Sequence, residues 1–488
     1  MIKNIKWLLL VSLTFIACND DEVVVTYDTA NGLPLTAGTA DFSKYVALGD
    51  SFAAGFSDGA LFIEGQKGAY PNILAQQFAL VGGGAFTTPL MADNFGGLLL
   101  GGNQIQGVRL YFNGAAPVPV AGAPTTEITN HLSGSFNNMG IPGAKSFHLL
   151  APGYGNTAGV ALGTASPYFS RFSSNSSSTD LTVLKDALDQ NPTFFSLWIG
   201  GNDVLGYALT GGDGTNPITP TATFTGAYNK LASDMAAGGR EGVVANIPYV
   251  NSLPHFTTVP YNPVPLDAAT ITQLMNTTTG YGKYNGGLQF ALSKNWITAA
   301  EAARRTIAFT PGNGNKLVIE DSYLTNLTAY GIPSLRQTTS EDLIVLPARS
   351  VIGTTVGGNP QLVNGVSVPL ADKWVLSKDE IAEIIIATDA YNAVIETAAS
   401  TNDLAFVDAK GIMNQLATTG ITANNYTMNT AFATGGAFSL DGFHPTPRGY
   451  ALIANKFLEA INTKYSSNFK GVNIGNYRIL FPRDAANF

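Results

Sequence analysis

A single cysteine, Cys18, occurs in the 488 residues. No intramolecular disulfide can form, so packing alone must hold the fold. Charge is sparse at 12%, with 26 Lys and Arg against 34 Asp and Glu, a formal net charge of −8. No basic stripe and no run of basic residues interleaved with aromatics occurs, which argues against nucleic acid or another polyanion as partner. His131, His148 and His255 are isolated in sequence and stand at no metal-ligand spacing; they read as satisfied or surface histidines, and no metal is expected. Gly200-Gly201 is not followed by the Gly-Lys-Ser/Thr of a phosphate loop, and Gly-x-Ser-x-Gly is absent around Ser51. No repeat of solenoid period is present.

No apolar run is long enough for a permanent membrane helix. The run over residues 7–17 follows Lys3 and Lys6 and ends at the small Ala17, just before Cys18. This pattern resembles a bacterial lipoprotein signal, which implies a signal peptide over residues 1–17 and a lipid on Cys18. The expected location is then the bacterial cell envelope, on the outer membrane. An ordinary signal peptide with an incidental cysteine is the other reading. Residues 18–40 begin with Asn19-Asp20-Asp21-Glu22 and continue rich in Thr, Gly and Ala, as a flexible tether would.

Glycine is abundant at 53 residues, and apolar content is ordinary at 45%. This composition suits a large, loop-rich globular chain rather than a disordered one. Short apolar runs at residues 45–48, 194–199, 243–247 and 404–407 read as buried strands, with a weaker one leading into Asn138. Helical stretches stand between them: residues 70–80, one through Leu181, Leu184 and Leu188, and one through Phe224, Tyr228, Leu231 and Met235. Ser377 and Glu380 form a capping box before a further helix, and Thr446-Pro447 opens the last. Alternation of this kind predicts a three-layer α/β/α sandwich on a mainly parallel five-stranded sheet. Residues 41–465 form the expected main domain. Insertions over residues 82–133 and 251–373 would decorate its rim, and residues 466–488 would extend it.

Ser51 follows the first strand, in Gly49-Asp50-Ser51, at the carboxyl end where open α/β sheets keep their sites. Far downstream, Asp441-Gly442-Phe443-His444-Pro445 supplies a base and a carboxylate three residues apart, close enough for Asp441 to hold one tautomer of the His444 ring. Together they offer the nucleophile, base and orienting acid of acyl transfer. Asp50 and Asp203 read as turn residues that bond loop backbone.

Four segments in order, Gly49-Asp50-Ser51, Gly140-Ile141-Pro142-Gly143, Gly200-Gly201-Asn202-Asp203 and Asp441 to Pro445, resemble the sequence blocks of the SGNH (GDSL) hydrolase superfamily. The resemblance covers the core but not the insertions or the last twenty or so residues, and Phe52 replaces the commoner leucine. It implies a flavodoxin-like sandwich and a serine hydrolase with Ser51, His444 and Asp441 as the catalytic residues. The oxyanion hole would comprise the N–H groups of Ser51 and Gly143 and the side-chain amide of Asn202. Esterase, lipase or carbohydrate O-deacetylase activity is implied, without a cofactor. The substrate would be an acyl-ester small molecule, a lipid or an acylated glycan. A surface lipoprotein that binds glycan or lipid on a hydrolase scaffold, without catalysis, is the competing reading.

Overall fold

The computed structural model describes residues 34–484. The expected signal peptide, Cys18 and most of the tether lie outside the described residues.

Five strands form one sheet: β1 (Tyr45–Gly49), β2 (Asn138–Gly140), β3 (Phe194–Trp198), β4 (Glu241–Ala245) and β5 (Ala405–Val407). Their order is β5-β4-β3-β1-β2, and every pairing is parallel. All residues of β1 and β3 are buried. That explains why these strands read as continuous apolar runs instead of alternating ones.

The sheet is covered by α1 (Ser51–Ala54), α2 (Tyr70–Ala79), α3 (Val183–Leu188), α4 (Asn202–Leu209), α5 (Thr221–Ala236), α6 (Lys378–Thr401), α7 (Ala409–Thr418) and α8 (Pro447–Tyr465). Helices α2 and α8 pack together on one side, where Tyr70, Trp198 and Phe457 form a ring cluster. On the other side α5 packs on α6 through Phe224 and Tyr391, stacked at 4.1 Å. The chain leaves β1 for β2 on one flank and later returns to β3 on the other. The crevice above β1 and β3 is therefore the topological switch point.

Local signals account for the helix ends. Ser377 Oγ accepts from Glu380 N–H while Ser377 N–H donates to Glu380 Oε2 at 2.6 Å, a closed capping box on α6. Thr446 Oγ1 accepts from Gly449 N–H at 3.0 Å, and Pro447 takes the first position of α8. The helix read through Leu181 begins later, at Val183, because Thr182 caps it by accepting from Lys185 N–H.

Residues 34–40, read as the end of the tether, are docked beside the end of α8. Thr36 N–H donates to Asn468 Oδ1 at 2.7 Å, Asn468 Nδ2 to Pro34 O at 2.9 Å, and Thr39 N–H to Tyr465 O at 2.8 Å. Gly38 sits at φ +67, and a Cβ there would lie 1.9 Å from Tyr465 O. The tail after α8 is likewise built in, since Phe469, Val472, Ile474 and Phe481 are buried.

Both insertions join the body. Arg109, fully buried, donates through Nη2 to Pro482 O at 2.8 Å, tying the first insertion to the tail. The second contains a helix, Ala299–Arg305, and a small apolar cluster of its own around Leu288, Ala291 and Ile297. Its Val259, Leu317 and Ile344 enter the main core. It also buries an ionic network. Arg336 grips Asp342 with both ends of its guanidinium, at 2.7 and 2.8 Å, and its Nε reaches Asp321, which also takes Arg304 Nη2 at 2.9 Å.

Removing one partner of such a network leaves buried charge uncompensated. Arg336→Met is therefore expected to destabilise the protein by about 3–5 kcal/mol, read as earlier unfolding in urea. A loss below about 1 kcal/mol would contradict a stabilising role for the pair.

Candidate active site

The turn that carries Ser51 is set by backbone close approach. A Cβ at Gly49 would meet Trp198 O at 2.6 Å and Ala53 Cβ at 2.8 Å, so only glycine fits where β1 ends. Asp50 then caps α1, its Oδ1 accepting from Phe52 N–H at 3.0 Å. Ser51 becomes the first residue of this short helix, and Gly55 at φ +83 ends it. The hydroxyl of Tyr450 on α8 donates to Phe56 O at 2.7 Å and pins the segment from below.

The loop at residues 441–445 closes on that segment. Asp441 Oδ1 accepts from Phe443 N–H, His444 N–H and Ser439 Oγ at 3.0, 2.9 and 3.1 Å. Asp441 Oδ2 accepts from Gly59 N–H at 2.9 Å and from His444 Nδ1 at 2.8 Å. Burial alone would push this carboxyl up. Attraction to the His444 ring and the hydrogen bonds overcome that and hold it at about 2. With Nδ1–H spent on the carboxylate, Nε2 is left as the acceptor of the neutral ring. It is buried and makes no hydrogen bond among the described residues, to Ser51 Oγ or to any other group. The ring is enclosed by Phe52, Phe56 and Phe443, at centroid distances of 5.7, 4.5 and 4.2 Å. Phe52 follows Ser51 directly, so the structure brings the serine turn and the imidazole into one cluster.

Gly143 and Asn202 come to the same crevice. Gly143 follows β2 at φ +78, exposed, with no atom within 4 Å of where a Cβ would stand. Asn202 opens α4 after β3; its Nδ2 donates to Ala144 O at 3.0 Å and to Asp50 Oδ2 at 3.3 Å. The amide thus bridges the neighbour of Gly143 and the neighbour of Ser51. Asp203 faces away and accepts from Ser146 N–H and Ser146 Oγ, both at 2.8 Å, fastening the loop after Gly143 to α4. Asp50 and Asp203 therefore both bind backbone. Burial, with Asp203 charge adding to it, pushes the Asp50 carboxyl up to about 7.

Two residues beneath the dyad carried no readable signal. His255 Nδ1 contacts Asp441 O at 2.9 Å and its N–H donates to Gly442 O at 2.9 Å. Gly442, at φ +81, lies so close that a Cβ would stand 2.9 Å from His255 N. The ring is satisfied, as the sequence suggested, yet it supports the loop that carries Asp441 and His444. His148 and His131 do not approach the dyad: His148 Nδ1 accepts from Lys145 N–H at 3.0 Å, and His131 Nδ1 lies 3.2 Å from Ser170 O. Among the described residues no His, Cys, Asp and Glu cluster could hold a metal ion.

The other residue is Asp58. Its Oδ1 accepts from Leu440 N–H at 2.9 Å, while its Oδ2 is buried without a partner. Burial pushes this carboxyl up to about 7, and the charge of Asp441 pushes the same way. A folded value above the ordinary 3.8 means its stabilising contribution is complete below about pH 4 and is lost as pH rises through about 7. Asp58→Asn keeps an acceptor for Leu440 and removes the titration. The fall in urea midpoint between pH 5 and pH 8 is expected to be smaller in the variant than in the parent. Equal falls would contradict this assignment.

The sequence model of the GDSL-like lipase/acylhydrolase family matches residues 45–289, which include Ser51, Gly143 and Asn202 and end before Asp441 and His444. No curated protein matches the chain. A solved structure, LAE5, an alpha/beta hydrolase enzyme from the metagenome of Lake Arreo, Spain, aligns over 87% of this chain and 96% of that one. The identity is 12% and the TM-score 0.33, too low a likeness to carry weight. The family match spans half of the chain and contains the glycine-flanked serine turn at the head of the parallel sheet: the chain belongs to the GDSL-like lipase/acylhydrolase family of ester hydrolases.

Proposed function

We propose that Ser51, His444 and Asp441 cleave carboxylic esters through an acyl-enzyme. His444 Nε2 takes the proton of Ser51 Oγ as the oxygen attacks the acyl carbon. The imidazolium that forms is stabilised by Asp441, whose hydrogen bond to Nδ1 keeps the basic nitrogen on the serine side. Negative charge on the former carbonyl oxygen meets the N–H groups of Ser51 and Gly143, and the Asn202 amide after it gives up its long bond to Asp50. His444 returns the proton to the leaving alcohol. Water then repeats the sequence and frees the acid, and no cofactor is needed.

The observation that carries this reading is the 2.8 Å contact of Asp441 with His444 Nδ1, with a buried, unsatisfied Nε2 beside the residue that follows Ser51. A buried acceptor without a partner is costly, and the Ser51 hydroxyl turned toward it would relieve it. Apo sites often hold these contacts loosely, and they tighten when substrate binds. The proposed setting is the bacterial cell envelope, with a lipid on Cys18 as the anchor.

Ser51→Ala is expected to reduce kcat on p-nitrophenyl esters by at least about 10⁴-fold and to abolish labelling by a fluorophosphonate probe. Asn202→Ala should cost about a hundred- to a thousandfold with the fold retained. An unlabelled parent with no esterase activity would favour the binding lipoprotein. Cys18→Ser is expected to move the protein from the membrane fraction to the soluble one; unchanged fractionation would remove the lipid anchor.

A further inference from the structure

The second insertion holds a cleft of its own, about 1300 Å³ in volume. The helix Tyr281–Ser293 forms one wall, and the segments 330–335 and 360–367 form others. The hydroxyls of Tyr281 and Tyr284 donate to Val366 O at 2.7 Å and to Leu335 O at 2.6 Å, which fastens that helix to both segments. The shape is thus built before any ligand arrives, and binding there orders little. The cleft shares no lining residue with the crevice at Ser51.

Tyr330 stacks on Trp296 at 3.9 Å and is nevertheless 60% exposed, so one ring face is covered and the other is open. Trp296 is seated against the apolar cluster of Leu288, Ala291 and Ile297, which makes this platform rigid. Phe290, 53% exposed, meets the Trp296 ring edge-on at 5.6 Å. Large rings held together in water mark a contact surface. Gln273, Thr279 and Gln361, all exposed, add amides and a hydroxyl to the lining, groups that both donate and accept. Among the described residues Lys283 is the only charged one in the lining, and no carboxylate joins it. One cation is too few for a nucleic acid or an anionic membrane surface. A bilayer would also leave the amides unpaired in hydrocarbon.

We propose that this cleft binds a neutral oligosaccharide built of pyranose rings. A pyranose presents C–H groups on its faces and hydroxyls around its rim. The open face of Tyr330 takes the C–H face of one ring, and the amides of Gln273 and Gln361 take rim hydroxyls. The volume exceeds the roughly 300–1,000 Å³ of a pocket for one small molecule, so the cleft admits several linked rings. The inference does not rest on Ser51. The cleft would hold the protein on a glycan chain whatever the chemistry of the serine site.

Calorimetric titration of the full chain with cellohexaose, xylohexaose, mannohexaose and maltohexaose tests this. At least one hexasaccharide is expected to bind. Tyr330→Ala should weaken that binding by at least about tenfold, and Gln273→Ala by roughly two- to tenfold. Both residues are exposed, so thermal melts and kcat/KM on p-nitrophenyl acetate should match those of the parent. Binding that survives Tyr330→Ala at parental strength would overturn the cleft as the sugar site, as would no binding of any of the four. Retention on phosphatidylethanolamine and phosphatidylglycerol vesicles that Tyr330→Ala abolishes, without sugar binding, would overturn it in favour of a lipid contact. A parent that binds a hexasaccharide but hydrolyses no ester would keep the cleft and overturn the hydrolase reading. Ester hydrolysis without sugar binding would overturn the cleft alone.

Discussion

The Asp441 carboxylate joins parts of the chain that have no local reason to meet. One oxygen takes the N–H groups of its own turn and the Ser439 hydroxyl, and the other takes Gly59 N–H and the His444 ring. Gly59 and Asp441 are 382 residues apart in sequence. A buried carboxylate is tolerated only when its lone pairs are satisfied, and here that condition coincides with the requirement of the proposed mechanism. The bonds that make ionised Asp441 stable in the interior also fix the tautomer of His444 and hold its ring against the serine turn. Around this centre Asp58 and Leu440 form a second link, and His255 supports Gly442 from below.

The sheet positions the remaining parts. Because β1 and β3 are neighbours with their crossovers running to opposite flanks, Ser51 and Asn202 emerge side by side at the switch point. Gly143 follows β2, on the other side of β1. The Asn202 amide, bonded to Ala144 O and Asp50 Oδ2, and Asp203, bonded to Ser146, keep these loops in register. The insertions reinforce the same region from outside, through Arg109 on the tail and through the segment that carries His255.

Local chemistry made much of this legible in the sequence. The runs at residues 45–48 and 194–199 are buried on both faces, so they read as strands without an alternating pattern. Ser377 with Glu380, and Thr446 with Pro447, announce their helices by capping chemistry that needs only neighbouring residues. The Asp441–His444 pair was readable because three residues of spacing suffice for the turn. What was not readable depends on distant contact. Residues 34–40 are rich in small residues and look like linker until Asn468 and Tyr465 are placed beside them. His255 carries no motif, and its role comes entirely from the loop folded over it.

The central claim is that the serine turn, the imidazole and the amide donors act on one carbonyl. A crystal structure of the enzyme after reaction with an alkyl fluorophosphonate tests it most directly. Phosphorus bonded to Ser51 Oγ is predicted, with one phosphoryl oxygen held by Ser51 N–H, Gly143 N–H and Asn202 Nδ2, and with His444 Nε2 within hydrogen-bond reach of the ester oxygen. Phosphorus on another residue, or a phosphoryl oxygen that meets none of these donors, would contradict the account.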